Sequence, residues 1–106
     1  MKMQCGAQRG ELTPEWLGKM AQMLRLLAHP HRLKIVDILN AAPAAPVRAI
    51  ANQLELPPAA TSQHLNQMRR VGLLEAERHG KEVFYRIADR RCLTILQCIR
   101  GKGAST

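Results

Sequence analysis

The chain has 106 residues, which is enough for one domain and too few for two domains with separate cores. Hydrophobic residues make up 46% but aromatic residues only 3%, which favours an aliphatic helical core, and the net charge of +8 favours a polyanionic partner such as nucleic acid. No apolar run is long enough to span a bilayer and the N-terminus lacks a signal-peptide core, so we expect a cytoplasmic protein without a membrane partner.

A first helix is predicted after an N-terminal arm, residues 1–12, that shows little pattern. The triplet Thr13-Pro14-Glu15 combines a hydroxyl cap, a proline in the first turn and an early acid, which is typical of a helix start. Apolar residues follow at helical spacing: Trp16, Met20, Met23, Leu24 and Leu27. This stripe is either ordinary core or, as we favour for so small a domain, part of a dimer interface.

The dipeptide His29-Pro30 interrupts that pattern, and Pro30 can open a second helix. The buried side of this helix is predicted to be aliphatic: Leu33, Ile35, Val36, Ile38 and Leu39. We expect His29 and His31 to cap and solvate the helix start rather than to bind a metal. The alanine and proline stretch 41–46 is predicted to be a loop.

The next two segments form a predicted helix-turn-helix. Apolar residues at i, i+3, i+4 and i+7 indicate a short third helix: Val47, Ile50, Ala51 and Leu54. A turn at 55–57 leads to a fourth helix, in which Leu65 and Met68 supply the apolar stripe and which Gly72 ends.

The fourth helix has the composition of a DNA-recognition helix. It carries hydroxyl, amide and guanidinium groups but no carboxylate, whereas the exposed face of an ordinary helix usually mixes acids with lysines. Side chains of this kind can bind the edges of bases and the oxygens of phosphates. The candidate DNA-binding residues are Thr61, Ser62, Gln63, His64, Asn66, Gln67, Arg69 and Arg70.

A β-hairpin is predicted directly after this helix. Residues 73–78 and 82–87 flank His79-Gly80-Lys81, with β-forming residues in the second run and glycine at the tip. A hairpin in this position is a wing. Its tip offers Arg78, His79 and Lys81 to backbone phosphates or to the minor groove.

A last helix is predicted from Asp89, which can cap it, to about residue 100, followed by a flexible tail, residues 101–106. Its apolar positions are Leu93, Ile95, Leu96 and Ile99. The predicted domain, residues 13–100, is therefore mainly α-helical, with about five helices and a two-stranded wing.

With these segments in place, the chain resembles the ArsR (arsenical-resistance repressor, ArsR/SmtB) family of bacterial winged helix-turn-helix regulators. The resemblance rests on LLAHPHRLKIVDIL at 26–39, on TSQHLNQMRRVGLLEAERHGKEVFYRIAD at 61–89 and on the order of elements. It implies a homodimeric repressor that binds an inverted-repeat operator until a chemical signal releases it. It also implies a dimer interface on the first and last helices, to which we assign Trp16, Met20, Met23, Leu93 and Leu96.

The resemblance places the family's Ser-x-His-Leu signature on residues 62–65. Gln63 is then the best candidate for base reading, because a carboxamide can pair with adenine, and Ser62 is a candidate for phosphate contact. For His64 we favour a structural role, held by a local hydrogen bond. Prolines and alanines at 57–60 depart from the hydroxyl and amide residues that are common there in the family and remove DNA-binding donors.

The sequence does not identify the chemical signal that would release the protein from DNA. Metal-sensing members of the family carry paired cysteines on the third helix or acidic and histidine residues on the last helix, and this chain lacks both patterns. Cys92 and Cys98 lie on the last helix about 120° apart, so one regular helix cannot chelate through both, and Cys5 lies on the arm. The thiols are buried hydrophobes, ligands for As(III), Sb(III) or another thiophilic ion, or a redox pair.

We expect a DNA-binding repressor. A winged-helix module that binds only proteins is an alternative, but the positive charge and the carboxylate-free fourth helix argue against it. We do not expect an enzyme, because no nucleophile is paired with a base at a motif spacing and no glycine-rich phosphate loop is present.

Overall fold

The computed structural model describes residues 12–101. The predicted arm up to residue 11, including Cys5, and the tail from residue 102 lie outside the described residues. The described chain forms five helices and three strands: α1 Pro14–Leu27, α2 Pro30–Ala41, β1 Ala45–Pro46, α3 Val47–Leu54, α4 Pro58–Arg70, β2 Leu74–His79, β3 Glu82–Ile87 and α5 Arg91–Arg100. Within residues 12–101, no helix is long and apolar enough to cross a membrane.

Prolines and polar caps determine where the first two helices begin, as the sequence predicts. The Thr13 hydroxyl accepts a hydrogen bond from the Trp16 backbone N–H at 3.1 Å, and Pro14 opens α1. At α2, Nδ1 of His29 accepts a bond from the His31 backbone N–H at 3.2 Å. Both caps satisfy a backbone donor that has no partner inside the helix.

The sheet contains one strand that the sequence analysis missed. Strand order is β1-β3-β2, with Ala45 paired to Tyr85 and Pro46 to Phe84, so the predicted loop 41–46 ends in a short edge strand. Two residues are too few to show a periodic pattern, and Pro46 is tolerated because it lies at an edge. The wing is therefore part of a three-stranded antiparallel sheet.

The predicted hairpin is confirmed. Strands β2 and β3 pair from Leu74 with Ile87 to His79 with Glu82. Gly80 has a φ of +64° in the two-residue turn, a conformation that glycine adopts without steric cost.

Both helices of the helix-turn-helix end in the same hydrogen-bonding arrangement. After α3, the Leu56 N–H bonds the Ala51 carbonyl at 3.1 Å, and after α4 the Leu73 N–H bonds the Met68 carbonyl at 3.0 Å. This Schellman arrangement requires a left-handed residue just beyond the helix. Gly72 (φ +88°) supplies it after α4, whereas Glu55 (φ +58°) supplies it after α3.

The core is aliphatic, as the composition predicts. Ile35 of α2, Ile50 of α3 and Leu65 of α4 are completely buried and belong to one cluster that also includes residues of α1, the sheet and α5. The helix-turn-helix is thus held against α2 and the sheet, and one face of α4 is committed to the interior.

Candidate nucleic-acid interface

Helix α4 has one buried face and one exposed face. Thr61, Leu65 and Met68, at i, i+4 and i+7, point into the core. Gln63, Gln67, Arg69 and Arg70 are exposed, and Ser62 and Asn66 are partly exposed. The polar surface that the sequence singles out therefore faces away from the core and carries no acid.

The prediction that Thr61 contacts DNA is wrong. Its side chain is 0% exposed, and its hydroxyl donates a hydrogen bond to the Pro57 carbonyl at 3.1 Å. The burial of Thr61 can be predicted from the sequence, because Thr61 lies four residues before Leu65 and seven before Met68. That spacing places it on the apolar stripe of the helix.

The three amides of α4 differ in their surroundings. Asn66 Oδ1 lies 3.4 Å from the Tyr85 hydroxyl and 3.5 Å from Arg69 Nη2. Gln67 Oε1 accepts a hydrogen bond from Arg32 Nη2. The Gln63 carboxamide has no hydrogen-bond partner within residues 12–101, so of the three it is the amide whose donors and acceptor are all available to a ligand.

His64 connects α4 to α2. Its Nδ1 accepts a hydrogen bond from Arg32 Nε at 3.0 Å, and Arg32 Nη1 also donates to the Leu26 carbonyl at 3.1 Å. Burial, aided by the Arg32 charge, lowers the pKa of His64 from its usual value. The favoured structural role for His64 fits this position, although its partner is distant in sequence rather than local.

Two further histidines meet His64 at this junction. The ring of His64 lies 4.6 Å from that of His29 and 5.8 Å from that of His31, measured between centroids. One ligand atom from each of the three residues can be chosen so that all lie within 4.8 Å of one another. The sequence alone does not predict this cluster, because His64 lies more than 30 residues from His31 and no local pattern brings them together.

The tip of the wing carries exposed basic groups. Arg78 Nη1 lies 3.4 Å from the Gly80 carbonyl, and Lys81 makes no hydrogen bond or ion pair within the described residues. The His79 ring packs edge-on against Phe84 at 5.2 Å, and its Nε2 lies 3.6 Å from Glu77. The structure thus exposes all three residues predicted at the tip.

The acids of the wing are paired with arginines. Arg86 binds Glu75 at 2.8 Å and Glu77 at 3.2 Å, and Arg48 of α3 binds Glu82. The bond to Arg86 lowers the pKa of the Glu77 carboxyl. These pairs offset the negative charge beside Arg78 and Lys81, so the surface remains favourable for a polyanion.

The two cysteines of α5 occupy different environments. Cys92 is 1% exposed and its thiol lies 3.1 Å from the Asp89 carbonyl, whereas Cys98 is exposed. Burial raises the pKa of the Cys92 thiol to about 11. Asp89, the residue predicted to cap α5, accepts a hydrogen bond from the Arg91 backbone N–H at 3.0 Å, but the cap position itself is occupied by Arg90.

The predicted dimer-interface residues are only partly available to a second chain. Met23, Leu93 and Leu96 are largely buried in the core of their own chain, with 7%, 9% and 8% of their surface exposed. Trp16 remains 37% exposed, beneath the Arg91 guanidinium at 4.9 Å, and Met20 is partly buried. The strongly exposed apolar residues of the two helices are instead Leu17, Leu24 and Ile99.

Comparisons with known proteins agree with this geometry. The chain matches a family profile described as a helix-turn-helix domain over residues 27–77. It is 38% identical over 79 residues to the transcriptional repressor PagR of Bacillus anthracis, a match that covers 74% of this chain and 79% of PagR. It is 37% identical over 75 residues to the transcriptional repressor SmtB of Mycobacterium tuberculosis, covering 71% of this chain and 55% of SmtB.

Solved structures share the fold. The crystal structure of PagR superposes with a TM-score of 0.74 at 36% identity, over 82% of this chain and 99% of that chain. A homodimeric winged helix-turn-helix DNA-binding domain from Mycobacterium bovis, described as a possible ArsR-family regulator, superposes with a TM-score of 0.73 at 26% identity, over 94% of this chain and 91% of that chain. From sequence and fold together, the chain belongs to the ArsR/SmtB family of winged helix-turn-helix transcriptional repressors.

Proposed function

We propose that the protein is a homodimeric repressor that binds an inverted-repeat operator through the exposed face of α4 and the tip of the wing. The observation that carries this proposal is the separation of faces on α4: the apolar residues and Thr61 point inward, while the amides and arginines point outward. A repressor acts on chromosomal DNA, so the proposal places the protein in the cytoplasm.

Different groups serve different parts of the duplex. Gln63 is the proposed base-reading residue, because its carboxamide is exposed and has no partner within residues 12–101. Arg69 and Arg70 at the end of α4, with Arg78 and Lys81 on the wing, are the proposed phosphate contacts. At the start of α4, Ala59 is exposed and offers a methyl group to a thymine rather than a hydrogen-bond donor to a phosphate.

The dimer rests on exposed apolar surface. Leu17 and Leu24 are 47% and 51% exposed and lie seven residues apart on α1, so they share one face, and Ile99 of α5 is 59% exposed. A second copy would cover such residues at little desolvation cost. The related domain from M. bovis is described as homodimeric, which supports the same assembly here.

For the releasing signal, the structure favours Cys98 over Cys92 as the reactive thiol. Cys98 is exposed, whereas Cys92 is buried and its raised pKa keeps it protonated. A thiophilic ion such as As(III) or Sb(III), or a redox partner, would have to join Cys98 to a thiol from outside α5. Cys5 lies outside the described residues. Replacing Cys98 with serine and measuring release from DNA by arsenite and by polysulfide tests this proposal.

Fluorescence anisotropy with the duplex from the protein's own promoter tests DNA binding. Gln63→Ala combined with Arg69→Ala should lower the affinity at least tenfold, and log affinity should fall steeply with log salt for the wild type. Arg25→Ala combined with Gln97→Ala removes the same residue types from α1 and α5 and should have little effect. Equal affinity of the two double variants would overturn the assignment of α4.

A further inference from the structure

Three of the chain's four histidines meet where the start of α2 contacts α4. His29 and His31 flank Pro30, and His64 reaches them from α4, with one ligand atom from each within 4.8 Å of the others. All three side chains are partly buried, so the cluster is held by the fold yet is accessible to a small solute.

The separations are close to those of a metal centre. Nitrogens bound to tetrahedral zinc at about 2.0–2.1 Å from the ion lie roughly 3.3 Å from one another. Separations of up to 4.8 Å must shorten to that value on binding, and we expect rotation of the imidazole side chains to supply the change. Imidazole suits zinc, nickel and copper, and three protein ligands leave one coordination position for water or another small ligand.

We propose that His29, His31 and His64 form a binding site for a divalent transition-metal ion of the zinc, nickel or copper class. Neither Cys-based nor carboxylate-based chemistry is involved, so the site is separate from any response of Cys98. The proposal does not depend on DNA binding.

The metal must compete with Arg32 for His64. In the structure, Nδ1 of His64 uses its lone pair to accept the Arg32 Nε–H at 3.0 Å, which places the single ring proton of neutral His64 on Nε2. Coordination through Nδ1 displaces Arg32 directly. Coordination through Nε2 moves the proton to Nδ1, which then donates and can no longer accept. Bound metal and the Arg32–His64 hydrogen bond therefore exclude each other.

His29 is constrained in the same way, because its Nδ1 accepts the His31 backbone N–H at 3.2 Å. Metal binding removes this cap or changes the tautomer that makes it. His31 differs, because its ring makes contacts with the other two rings but no side-chain hydrogen bond within the described residues. His31 is therefore the ligand that can be replaced with the least effect on the fold.

Competition between the metal ion and Arg32 for His64 also affects the exposed face of α4. Arg32 also binds Gln67 through Nη2, so an ion that displaces Arg32 from His64 also alters the surroundings of Gln67. We expect the ion to change operator affinity through this contact. That consequence rests on the proposed DNA-binding role of α4, whereas the metal site does not.

Metal binding is tested on the full chain without a histidine tag, by titrating Zn²⁺ in competition with a chromophoric chelator. The wild type should bind one Zn²⁺ per chain with micromolar or tighter affinity. His31→Gln and His64→Gln should each weaken binding at least tenfold, whereas His79→Gln, which changes the histidine outside the cluster, should not. Circular dichroism spectra establish that each variant is folded.

Two further measurements identify the ligands. Arg32→Gln should bind Zn²⁺ several-fold more tightly, because it removes both a competitor for His64 and a positive charge, whereas Arg25→Gln on α1 should not. The absorption spectrum with Co²⁺ should lack the near-ultraviolet band of thiolate ligands. Absence of stoichiometric binding, equal weakening by His79→Gln, retention of full affinity in His31→Gln, or a thiolate band would each overturn the proposal.

Discussion

The Thr61 hydroxyl donates a hydrogen bond to the Pro57 carbonyl at 3.1 Å inside the domain, although Thr61 belongs to the helix that we assign to DNA. The same carbonyl accepts the Thr61 backbone N–H, also at 3.1 Å. Thr61 therefore holds the first turn of α4 against the core, and its neighbour Ser62 lies on the side that is partly open to solvent.

Thr61→Val should separate stability from DNA binding. It keeps the shape of the side chain but removes one buried hydrogen bond, so the free energy of unfolding should fall by about 1 kcal/mol, while the folded protein should keep its operator affinity. Urea denaturation and fluorescence anisotropy measure the two effects. Ser62→Ala should instead lower the operator affinity and leave the free energy of unfolding unchanged. A tenfold loss of affinity in folded Thr61→Val would restore Thr61 as a contact.

Lys81 should act on DNA through its charge alone. Its side chain is exposed and makes no ion pair within the described residues, so Lys81→Ala should weaken binding to all duplexes equally and lower the slope of log affinity against log salt by about 1 for each wing that contacts DNA. Lys34→Ala, which removes a charge paired with Asp37 at 3.3 Å, is the matched control. Equal slopes in the two variants would exclude a phosphate contact by Lys81.

Glu55 should be a site of stabilisation. It occupies the left-handed region (φ +58°) that Gly72 occupies at the equivalent turn after α4. A side chain in that region costs roughly 1–2 kcal/mol, which glycine avoids at some cost in unfolded-state entropy. Glu55→Gly should therefore raise the free energy of unfolding by about 1 kcal/mol in urea denaturation. Glu55→Ala, which removes only the carboxylate, should give no such gain; the opposite order would contradict this account.

Cys92 should be almost inert toward alkylation. Burial raises its pKa to about 11, so its thiol is protonated below that pH and becomes reactive only as the pH rises toward it. At pH 8 its thiolate fraction should be about 100-fold below that of an ordinary exposed thiol. Mass spectrometry after iodoacetamide treatment, in a Cys5→Ser background, measures the rate at which Cys92 is alkylated. Labelling in urea is the control, and equal rates in native and unfolded protein would refute the prediction.

Ile99 should control assembly. It is 59% exposed on α5, and Ile99→Glu would place a charge in the proposed apolar interface, where burying it costs free energy. Light scattering should then report a monomer at concentrations where the wild type is a dimer. Gln97→Glu adds the same charge about 200° around the same helix and should remain dimeric. A dimeric Ile99→Glu variant would remove α5 from the interface.

Much of the architecture follows from local signals in the sequence. Thr13 and Pro14 fix the start of α1, Pro30 fixes that of α2, and Gly80 marks the turn of the hairpin, because caps, proline and left-handed glycine act on residues within one turn of themselves. The inward face of α4 was also encoded, since Thr61 lies at helical spacing from Leu65. The hydroxyl of Thr61 favours the opposite prediction, a polar contact at the surface, which is why composition alone misleads at this position.

The contacts between distant segments became visible only in the folded structure. The helices, the hairpin and the polar character of α4 can be predicted from the sequence alone, because each depends on residues that are neighbours along the chain. Only packing could bring Arg32 to His64, 32 positions away, or join Ala45 to Tyr85 in the sheet. Packing also placed Met23 and Leu93 in the core of their own chain. Contacts between distant segments depend on how whole elements are oriented, and no local pattern records that orientation.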